Sequence, residues 1–199
     1  MTAKEVFELG YNGTPKIFMG DIFPHLSKLN SGAWEDVLNT SRSGYYQWLS
    51  GLMLELKPKQ VVELGGAMGV ADLMILATLP SDSKLYSITL AEHGLEFSYI
   101  DKEYPNFISV VGDDLDLTNW PKDLKLEDTD LWFIDSEHSK EQLQKELTLY
   151  TPFFKKGAIV LFDDIHINEG MSEVWNSLKG DKFEIREPLH YSGFGVWII

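Results

Sequence analysis

The chain has 199 residues, 44% of them hydrophobic, with 17 basic against 31 acidic side chains and a formal net charge of −14. This size suits one domain that buries about 70% of the surface its unfolded chain exposes, and the apolar fraction excludes a disordered chain. The excess of acid predicts no nucleic-acid or anionic-membrane partner, and the absence of cysteine excludes disulfides, thiolate metal sites and cysteine nucleophiles.

The N-terminal segment has none of the marks of a signal peptide or a membrane anchor. Its first ten residues contain two acids and one lysine without an apolar stretch, and no apolar run approaches the roughly 20 residues that span a bilayer. We therefore expect a soluble, cytoplasmic chain. Residues 1–42 are broken by turn residues and predict an irregular N-terminal extension, with short helices near Ile22–Leu29 and Trp34–Leu38. By position, this extension is a candidate lid or homodimer contact.

From residue 43 onward, apolar runs of strand length alternate with stretches of helical periodicity. Apolar residues recur three or four positions apart over Tyr45–Leu56, which predicts a helix that ends before Pro58. The expected strands are Gln60–Leu64, Lys84–Leu90, Phe107–Gly112, Asp130–Asp135, Ala158–Asp163, Phe183–Leu189 and Gly193–Ile199. The later helices are expected at Val70–Leu79, His93–Glu103, Lys140–Tyr150 and Met171–Leu178.

This order of elements predicts a doubly wound α/β fold. The middle strands are almost continuously apolar, as is typical of a parallel sheet with helices on both faces. The last two strands are separated only by His190, Tyr191 and Ser192, whereas a parallel crossover needs about a dozen residues. Residues 43–199 are therefore expected to form a Rossmann-like domain with a seven-stranded, mostly parallel sheet and an antiparallel C-terminal hairpin at or near one edge.

The expected carboxyl ends of the strands are acidic. Glu63 lies near the end of the first strand, and Asp113 and Asp114 follow the third. Asp135 ends the fourth strand, and the pair Asp163–Asp164 ends the fifth. Ligands of open α/β sheets bind at this edge. Its charge disfavours a bare pyrophosphate and favours a cationic ligand, a metal ion, or both.

The turn after the first strand has the pattern E-x-G-x-x-x-G, formed by Glu63, Gly65 and Gly69. It lacks the dinucleotide fingerprint G-x-G-x-x-G, because Ala67 and Val70 occupy the later glycine positions, and the chain has no P-loop. Such a turn brings backbone N–H groups and a helix N-terminus toward a ligand carboxylate. An ordinary tight turn between a strand and a helix is the alternative.

Three segments occur in a characteristic order: Glu63–Ala71 (ELGGAMGVA), Leu131–His138 (LWFIDSEH) and Lys156–Asp164 (KGAIVLFDD). Together they resemble class I S-adenosylmethionine-dependent methyltransferases, closest to the catechol and caffeoyl-CoA O-methyltransferase group and its bacterial relatives. The resemblance covers about residues 44–199. It implies a methyltransferase fold, S-adenosylmethionine as cofactor, and O-methylation of a small-molecule hydroxyl as the reaction.

The resemblance also implies a set of cofactor-binding positions. In that family the glycine loop holds the methionine part and the residues after the third strand lie near the adenine. The implied residues here are Glu63, Gly65, Gly66, Ala67, Gly69, Thr89, Leu90, Asp113, Asp114 and Asp135. The chain departs from the family at Thr89, where an acid normally binds both ribose hydroxyls. One threonine hydroxyl makes a weaker hydrogen bond, and Glu92 is a second candidate for the ribose.

The same resemblance implies a metal site at Asp135, Asp163 and Asp164. A hard divalent cation such as Mg²⁺ takes carboxylate oxygens, keeps some of its waters, and leaves room for two vicinal oxygens of a substrate. Three neighbouring carboxylates repel one another unless a cation lies between them. In the alternative interpretation, Asp135 binds the cofactor amino group and Asp163 caps the following segment.

His138 is the candidate general base, with Asp135 beside it as the second candidate catalytic residue. It precedes Ser139–Gln142, which fits a helix capping box, so it should lie near the sheet edge. A histidine near its ordinary pKa accepts a hydroxyl proton at neutral pH. Alternatively, His138 packs against Asp135 and fixes its rotamer. His166 is either a pocket residue or an exposed loop histidine, whereas His25, His93 and His190 carry no supporting pattern.

Three functions remain open at this stage. The first is a methyltransferase that acts on a small-molecule acceptor. The second is a catalytically inactive cofactor-binding or regulatory protein on the same fold, which Thr89 favours. The third is a metal-dependent hydrolase or hydroxylase, which the glycine loop with Glu63 disfavours.

Overall fold

The structure is a computed structural model that describes residues 1–29, 40–90, 94–186 and 189–199. Two predictions, the helix at Trp34–Leu38 and the ribose contact of Glu92, lie outside the described residues. No helix in these ranges is both long and apolar enough to cross a bilayer.

Seven strands form one mixed sheet in the order β3-β2-β1-β4-β5-β7-β6. The strands are β1 (Gln60–Leu64), β2 (Lys84–Thr89), β3 (Phe107–Val111), β4 (Leu131–Ile134), β5 (Ile159–Phe162), β6 (Asp181–Ile185) and β7 (Phe194–Ile198). The first five pair in parallel, and β7 runs antiparallel between β5 and β6. The predicted fold class is therefore confirmed, with the C-terminal hairpin at one edge.

Seven α-helices accompany the sheet in the described part of the chain. They are α1 (Ala3–Gly13), α2 (Met19–Leu26), α3 (Thr40–Leu56), α4 (Val70–Leu76), α5 (Gly94–Glu103), α6 (Lys140–Tyr150) and α7 (Glu169–Ser177). Consecutive strand residues point to opposite faces. Val61 belongs to a core shared with α1–α5, whereas Val62 belongs to a core shared with α6 and α7. Both faces are thus covered, which explains why the central strands are apolar throughout.

The C-terminal hairpin differs from the prediction in its connection. β6 ends at Ile185, which pairs with Phe194, so residues 186–193 form a connection longer than the three residues expected. Gly193 ends this connection with a φ of +81°, and a Cβ there would lie 2.8 Å from the His166 ring. Residues 189–193, the last part of this connection, lie near the carboxyl end of β5, where the His166 N–H donates to the Ser192 carbonyl at 2.7 Å.

The N-terminal segment is more regular than expected, because its first eleven structured residues form α1. Thr2 and Glu5 make a reciprocal capping box at its start, a sequence signal that the turn residues later in the segment obscured. The helix packs closely on α3: a Cβ on Gly13 would lie 2.2 Å from the Gly51 carbonyl oxygen. Trp48 of α3 donates a 3.0 Å hydrogen bond to the Phe7 carbonyl. This part of the extension is therefore integral to the core.

Candidate functional site

The glycine loop between β1 and α4 is fixed by its backbone. Gly65 has a φ of +95°, and a Cβ there would lie 2.2 Å from the Asp135 carbonyl oxygen. The N–H groups of Gly65 and Gly66 both donate to the Ile88 carbonyl at 3.0 Å. Gly69 has a φ of +74° and precedes α4. Only glycine suits the first of these positions, because any side chain would collide with the end of β4.

A cleft of about 560 Å³ opens above the carboxyl ends of β1–β4. It brings together seven of the residues predicted to bind the cofactor, namely Gly65, Ala67, Thr89, Leu90, Asp113, Asp114 and Asp135. Ser136, Gln142 and Lys145, which sequence reasoning missed, also line it. Thr89 lies at the end of β2, in the position where the resemblance expects an acid, and β2 itself contains no acidic residue. The cleft is therefore continuous from the glycine loop to Asp114.

Glu63 does not line this cleft but lies buried behind the glycine loop. It is fully buried together with Asp72 of α4, and none of the four carboxyl oxygens has a hydrogen-bond partner among the described residues. Burial and the charge of Asp72 raise the pKa of Glu63 well above its ordinary value, and burial raises the pKa of Asp72 to about 6. Ionising both of these buried carboxyls at once would be unfavourable in free energy, because their negative charges repel each other. The pair therefore lies behind the glycine loop, and the backbone of the loop is the part of this end that lines the cleft.

The opposite end of the cleft contains a second buried carboxyl pair. Gln142 of α6 donates 2.9 Å hydrogen bonds to both Asp114 and Glu146, and Ser136 also donates to Glu146. Burial, together with neighbouring Asp114, raises the pKa of Glu146 to about 8. Tyr150 donates to the Asp114 carbonyl. Asp114 is therefore held in place from beneath, with its neighbour Asp113 on the cleft wall.

The other part of the site, which we call the acid–histidine centre, consists of Asp135, His138, Asp163, Asp164 and His190. His138 Nε2 lies 3.1 Å from Asp135 Oδ1, and its Nδ1 lies 3.4 Å from Asp164 Oδ2. Because β4 and β5 are neighbours, these carboxylates meet at one edge as predicted. His138 thus bridges the ends of two strands.

His190 is the residue of the acid–histidine centre that sequence reasoning missed. Its Nε2 lies 2.8 Å from Asp163 Oδ1 and 4.0 Å from Asp164 Oδ1, and only 2% of the residue is exposed. Because β7 runs antiparallel to β5, the residues just before β7 lie where β5 ends, and this pairing could not be read from the sequence. The pairing of Phe162 with Gly195 shows this register.

The backbone of Asp164 is unusual, with a φ of +52°. Aspartate tolerates this left-handed region better than most residues, but the conformation remains costly and often occurs at functional sites. Ser192 donates to Asp164 Oδ1, and the Ile165 N–H donates to the Gly193 carbonyl at 3.0 Å. These contacts tie the connection before β7 to the end of β5.

The pKa values of several groups in and around the acid–histidine centre are raised. Burial, followed by the charge of Asp163, raises the pKa of Asp135 well above its ordinary range. Burial and Asp163 also raise the pKa of Asp164, while Ser192, His138 and His190 oppose the increase. Tyr45 of α3 packs 4.5 Å from the His190 ring, and its pKa rises because it is buried beside Asp163. In each case burial is the larger cause of the raised pKa, and the negative charge of Asp163 adds to it.

Two overlapping sets of donor atoms in this centre could hold a metal ion. One set is Asp135, His138 and Asp163, and the other is Asp163, Asp164 and His190; within each set the atoms lie within 4.8 Å of one another. Asp163 belongs to both sets, and its Oδ1 is buried without a hydrogen-bond partner among the described residues. The residues present therefore fit a divalent cation.

The remaining histidines lie elsewhere. His166 contacts the Ser172 hydroxyl at 3.0 Å, Glu184 at 3.4 Å and Arg186 at 3.1 Å, so it is neither an isolated loop residue nor part of the cleft wall. His25 contacts the Tyr99 hydroxyl at 3.1 Å. His93 lies outside the described residues.

Residues 62–165, just over half of the chain, match the model of a family described as a methyltransferase domain. None of the curated proteins matches the sequence significantly.

Solved structures share the fold at low sequence identity. The O-methyltransferase TomG from Streptomyces achromogenes, in complex with SAM, is 20% identical; the match covers 88% of this chain and 89% of that chain, with a TM-score of 0.60. An O-methyltransferase from Bacillus cereus, in complex with SAH, is 14% identical over 87% and 89%, with a TM-score of 0.61. A candidate caffeoyl-CoA O-methyltransferase from Staphylococcus aureus is 15% identical over 87% and 91%, with a TM-score of 0.62.

Proposed function

Because the chain belongs to the methyltransferase-domain family, we propose that it is a cytoplasmic enzyme that transfers a methyl group from S-adenosylmethionine to a hydroxyl of a small-molecule acceptor. The observation that carries the proposal is the contact between the two halves of the site. Asp135 lines the cofactor cleft and also lies 3.1 Å from His138 in the acid–histidine centre. Asp135 would therefore lie between a cofactor in the cleft and a base beside the acceptor.

The cleft would hold the cofactor mainly through the backbone of the glycine loop. The loop, with the buried Glu63–Asp72 pair behind it, would hold the amino-acid part, Thr89 the ribose, and Asp113 and Asp114 the adenine end. When bound, S-adenosylmethionine supplies a methyl group on a positively charged sulfur, for which an acidic cleft is electrostatically suited. The complexes of two fold neighbours with SAM and SAH support this ligand.

His138 would act as the base through its Nδ1 atom. In the tautomer that carries its proton on Nε2, His138 would donate to Asp135 at 3.1 Å and leave the lone pair of Nδ1 free. A proton taken from the acceptor hydroxyl at Nδ1 would be stabilised by Asp164, whose Oδ2 lies 3.4 Å away. Asp135 would then orient the ring, as carboxylates orient histidine bases elsewhere.

Asp135, Asp163 and Asp164 would hold a divalent cation such as Mg²⁺ beside the acceptor. The unpartnered Asp163 Oδ1 and the crowding of three carboxyls support this part of the proposal. When bound, such an ion lowers the pKa of a coordinated hydroxyl. Without the ion, the acceptor hydroxyl would be a weaker acid and His138 would remove its proton less readily.

Within the N-terminal extension, residues 1–42, the part after α1 would serve as a lid over the acceptor or as a contact with a second copy. Phe18 supports this role, because 72% of this aromatic residue is exposed. The net charge of −14 supports a small-molecule acceptor over a nucleic acid.

A catalytically inactive cofactor-binding protein is the second candidate function, and Thr89 is the residue that favours it. Without a carboxylate at the end of β2, cofactor binding would be weaker than in enzymes that have one. Catalysis is favoured because the chain has a candidate base, a carboxylate partner for that base, and three neighbouring aspartates.

The proposal is tested by incubating the protein with methyl-labelled S-adenosylmethionine and a panel of catechols, sugars and other hydroxylated small molecules. We expect label in one acceptor class, and a loss of roughly 10²- to 10⁴-fold in kcat in His138→Gln. His25→Gln, which changes a histidine on α2, is the matched control and should retain full activity. Transfer unaffected by His138→Gln would contradict the base assignment. Cofactor binding without transfer to any acceptor would favour the inactive alternative.

A further inference from the structure

We propose that His190 is a metal ligand, so that the acid–histidine centre is a mixed nitrogen–oxygen site for a first-row transition-metal ion instead of an all-oxygen site for Mg²⁺. This inference rests on the metal part of the proposed function and specifies the class of ion. It concerns a residue from the connection before β7, far in sequence from the three aspartates.

The spacing of the donor atoms agrees with ligands that share one ion. His190 Nε2 lies 2.8 Å from Asp163 Oδ1 and 4.0 Å from Asp164 Oδ1. For metal–ligand bonds of about 2.1 Å, neighbouring donors lie about 3 Å apart at right angles and farther apart at wider angles. The two measured distances span this range.

The contact between His190 and Asp163 is close without being a hydrogen bond. Asp163 Oδ1 has no hydrogen-bond partner in the described residues, although Nε2 lies within 2.8 Å of it. The ring N–H direction therefore does not point at the oxygen. Buried polar atoms are nearly always satisfied, so an unsatisfied oxygen held against a ring nitrogen requires an explanation. A cation bound to both atoms provides one.

The surroundings of Nδ1, the other ring nitrogen, also favour a His190 ring whose Nε2 is free to bind a cation. Its Nδ1 faces the Ser192 hydroxyl at 3.5 Å, and that hydroxyl in turn donates to Asp164. A proton on Nδ1 would face the serine oxygen and leave the Nε2 lone pair free. Outer partners of this kind fix the tautomer of metal-binding histidines. Without a cation, the Nε2 lone pair would be buried without a partner, 2.8 Å from the Asp163 carboxylate.

The ring is also held in place. It is stacked 5.7 Å from Tyr191 with an interplanar angle of 9°, and it packs against Tyr45 at 4.5 Å. A buried imidazole that cannot turn away is a preorganised ligand. Imidazole nitrogen suits Zn²⁺ and neighbouring first-row ions such as Co²⁺, whereas Mg²⁺ prefers oxygen and keeps several waters.

The test uses the full chain, stripped of metal with a chelator and titrated with Co²⁺, Zn²⁺ or Mg²⁺. We expect one Co²⁺ per chain, bound more tightly than Mg²⁺ and visible by its absorption bands. His190→Gln should weaken Co²⁺ binding roughly tenfold to hundredfold and leave the weak Mg²⁺ affinity nearly unchanged. His25→Gln is the matched control and should bind like the wild type.

A second readout identifies the ligand atom. With Mn²⁺ bound, pulsed electron paramagnetic resonance should detect coupling to a ring nitrogen that persists in His138→Gln and is lost in His190→Gln. Ser192→Ala, which removes the hydroxyl beside Nδ1 without altering the ring, should weaken Co²⁺ binding by a smaller factor. This variant tests the proposal even if His190→Gln does not fold.

The outcomes separate this inference from the proposed function. Equal Co²⁺ affinity in the wild type and His190→Gln, or a nitrogen signal that depends only on His138, would overturn the role of His190 and leave a metal site intact. No binding of any of the three ions, with S-adenosylhomocysteine still bound, would overturn the metal site and leave the methyltransferase assignment. No binding of the cofactor product would contradict the proposed function itself.

Discussion

The two ends of the site are built in different ways. The glycine loop is held by its backbone: Gly65 and Gly66 share one carbonyl acceptor, and the Gly65 Cα packs against the end of β4. The acid–histidine centre is held by side chains that come from two neighbouring strands and the connection before β7. The glycine loop depends on the absence of a side chain at Gly65, whereas the acid–histidine centre depends on the charges of its side chains. Steric changes should therefore damage the first end most, and changes in protonation or charge the second.

The largest expected effect is the addition of a Cβ at Gly65. In Gly65→Ala that atom would lie 2.2 Å from the Asp135 carbonyl oxygen, and the left-handed φ adds strain. We expect the free energy of unfolding to fall by at least about 3 kcal/mol, measured by denaturant unfolding.

Gly157 provides a matched control for this prediction. It has a similar φ of +84°, but a Cβ there would meet nothing within 4 Å. Gly157→Ala should therefore cost only about 1 kcal/mol, which isolates the backbone strain. Equal losses in the two variants would show that contact with β4 does not fix the loop.

The next effect concerns pH and the buried Glu146. Its pKa of about 8, raised by burial, exceeds the value near 4.5 in the unfolded chain. Between these values the folded state keeps a proton that the unfolded state has lost, so stability should decline as the pH rises toward 8. Glu146→Gln removes this titration. It should flatten the dependence of Tm on pH between 5 and 8 and raise Tm at pH 8 relative to the wild type.

Glu141 is the control for the pH experiment, because it lies exposed on the same helix. Glu141→Gln should leave the slope of Tm against pH unchanged. A Glu146→Gln variant with the wild-type slope would show that another buried acid, such as Asp72, dominates the pH response.

The smallest effect is expected at Thr89. If its hydroxyl binds the ribose, Thr89→Ala should weaken the binding of S-adenosylhomocysteine about fivefold, equivalent to about 1 kcal/mol for one neutral hydrogen bond. Thr78→Ala removes a hydroxyl that instead donates to the Ser50 carbonyl at 2.7 Å and should have no effect on affinity. Equal affinity in Thr89→Ala and wild type would place the ribose elsewhere.

The contrast between the glycine loop and the acid–histidine centre also explains how much of the fold and the site the sequence could predict. Contiguous patterns identified β1 and α6 with their observed boundaries, the sheet class and the glycine loop, because local periodicity and a compact motif determine them. His138 was predicted near the three aspartates because it follows a parallel strand directly. His190 was not, because its position depends on a connection that leaves the hairpin and returns over β5. Helix α1 was missed because its capping box precedes a segment rich in turn residues.

Buried polar pairs were also beyond the reach of the sequence. Asp72 follows Glu63 by nine positions on the next helix, and Glu146 meets Asp114 across the cleft floor; only the packing of α4 and α6 on the sheet brings them together. An acid at an apolar helix position was the available signal, and Asp72 lies between Ala71 and Leu73 in such a stretch.

The central claim is that the cleft above β1–β4 binds S-adenosylmethionine, and calorimetric titration of the protein with S-adenosylhomocysteine tests it most directly. The account predicts one site per chain with a Kd on the order of micromolar, together with an increase in Tm when the ligand is present. An absence of binding at millimolar ligand, by a protein that unfolds cooperatively, would contradict it.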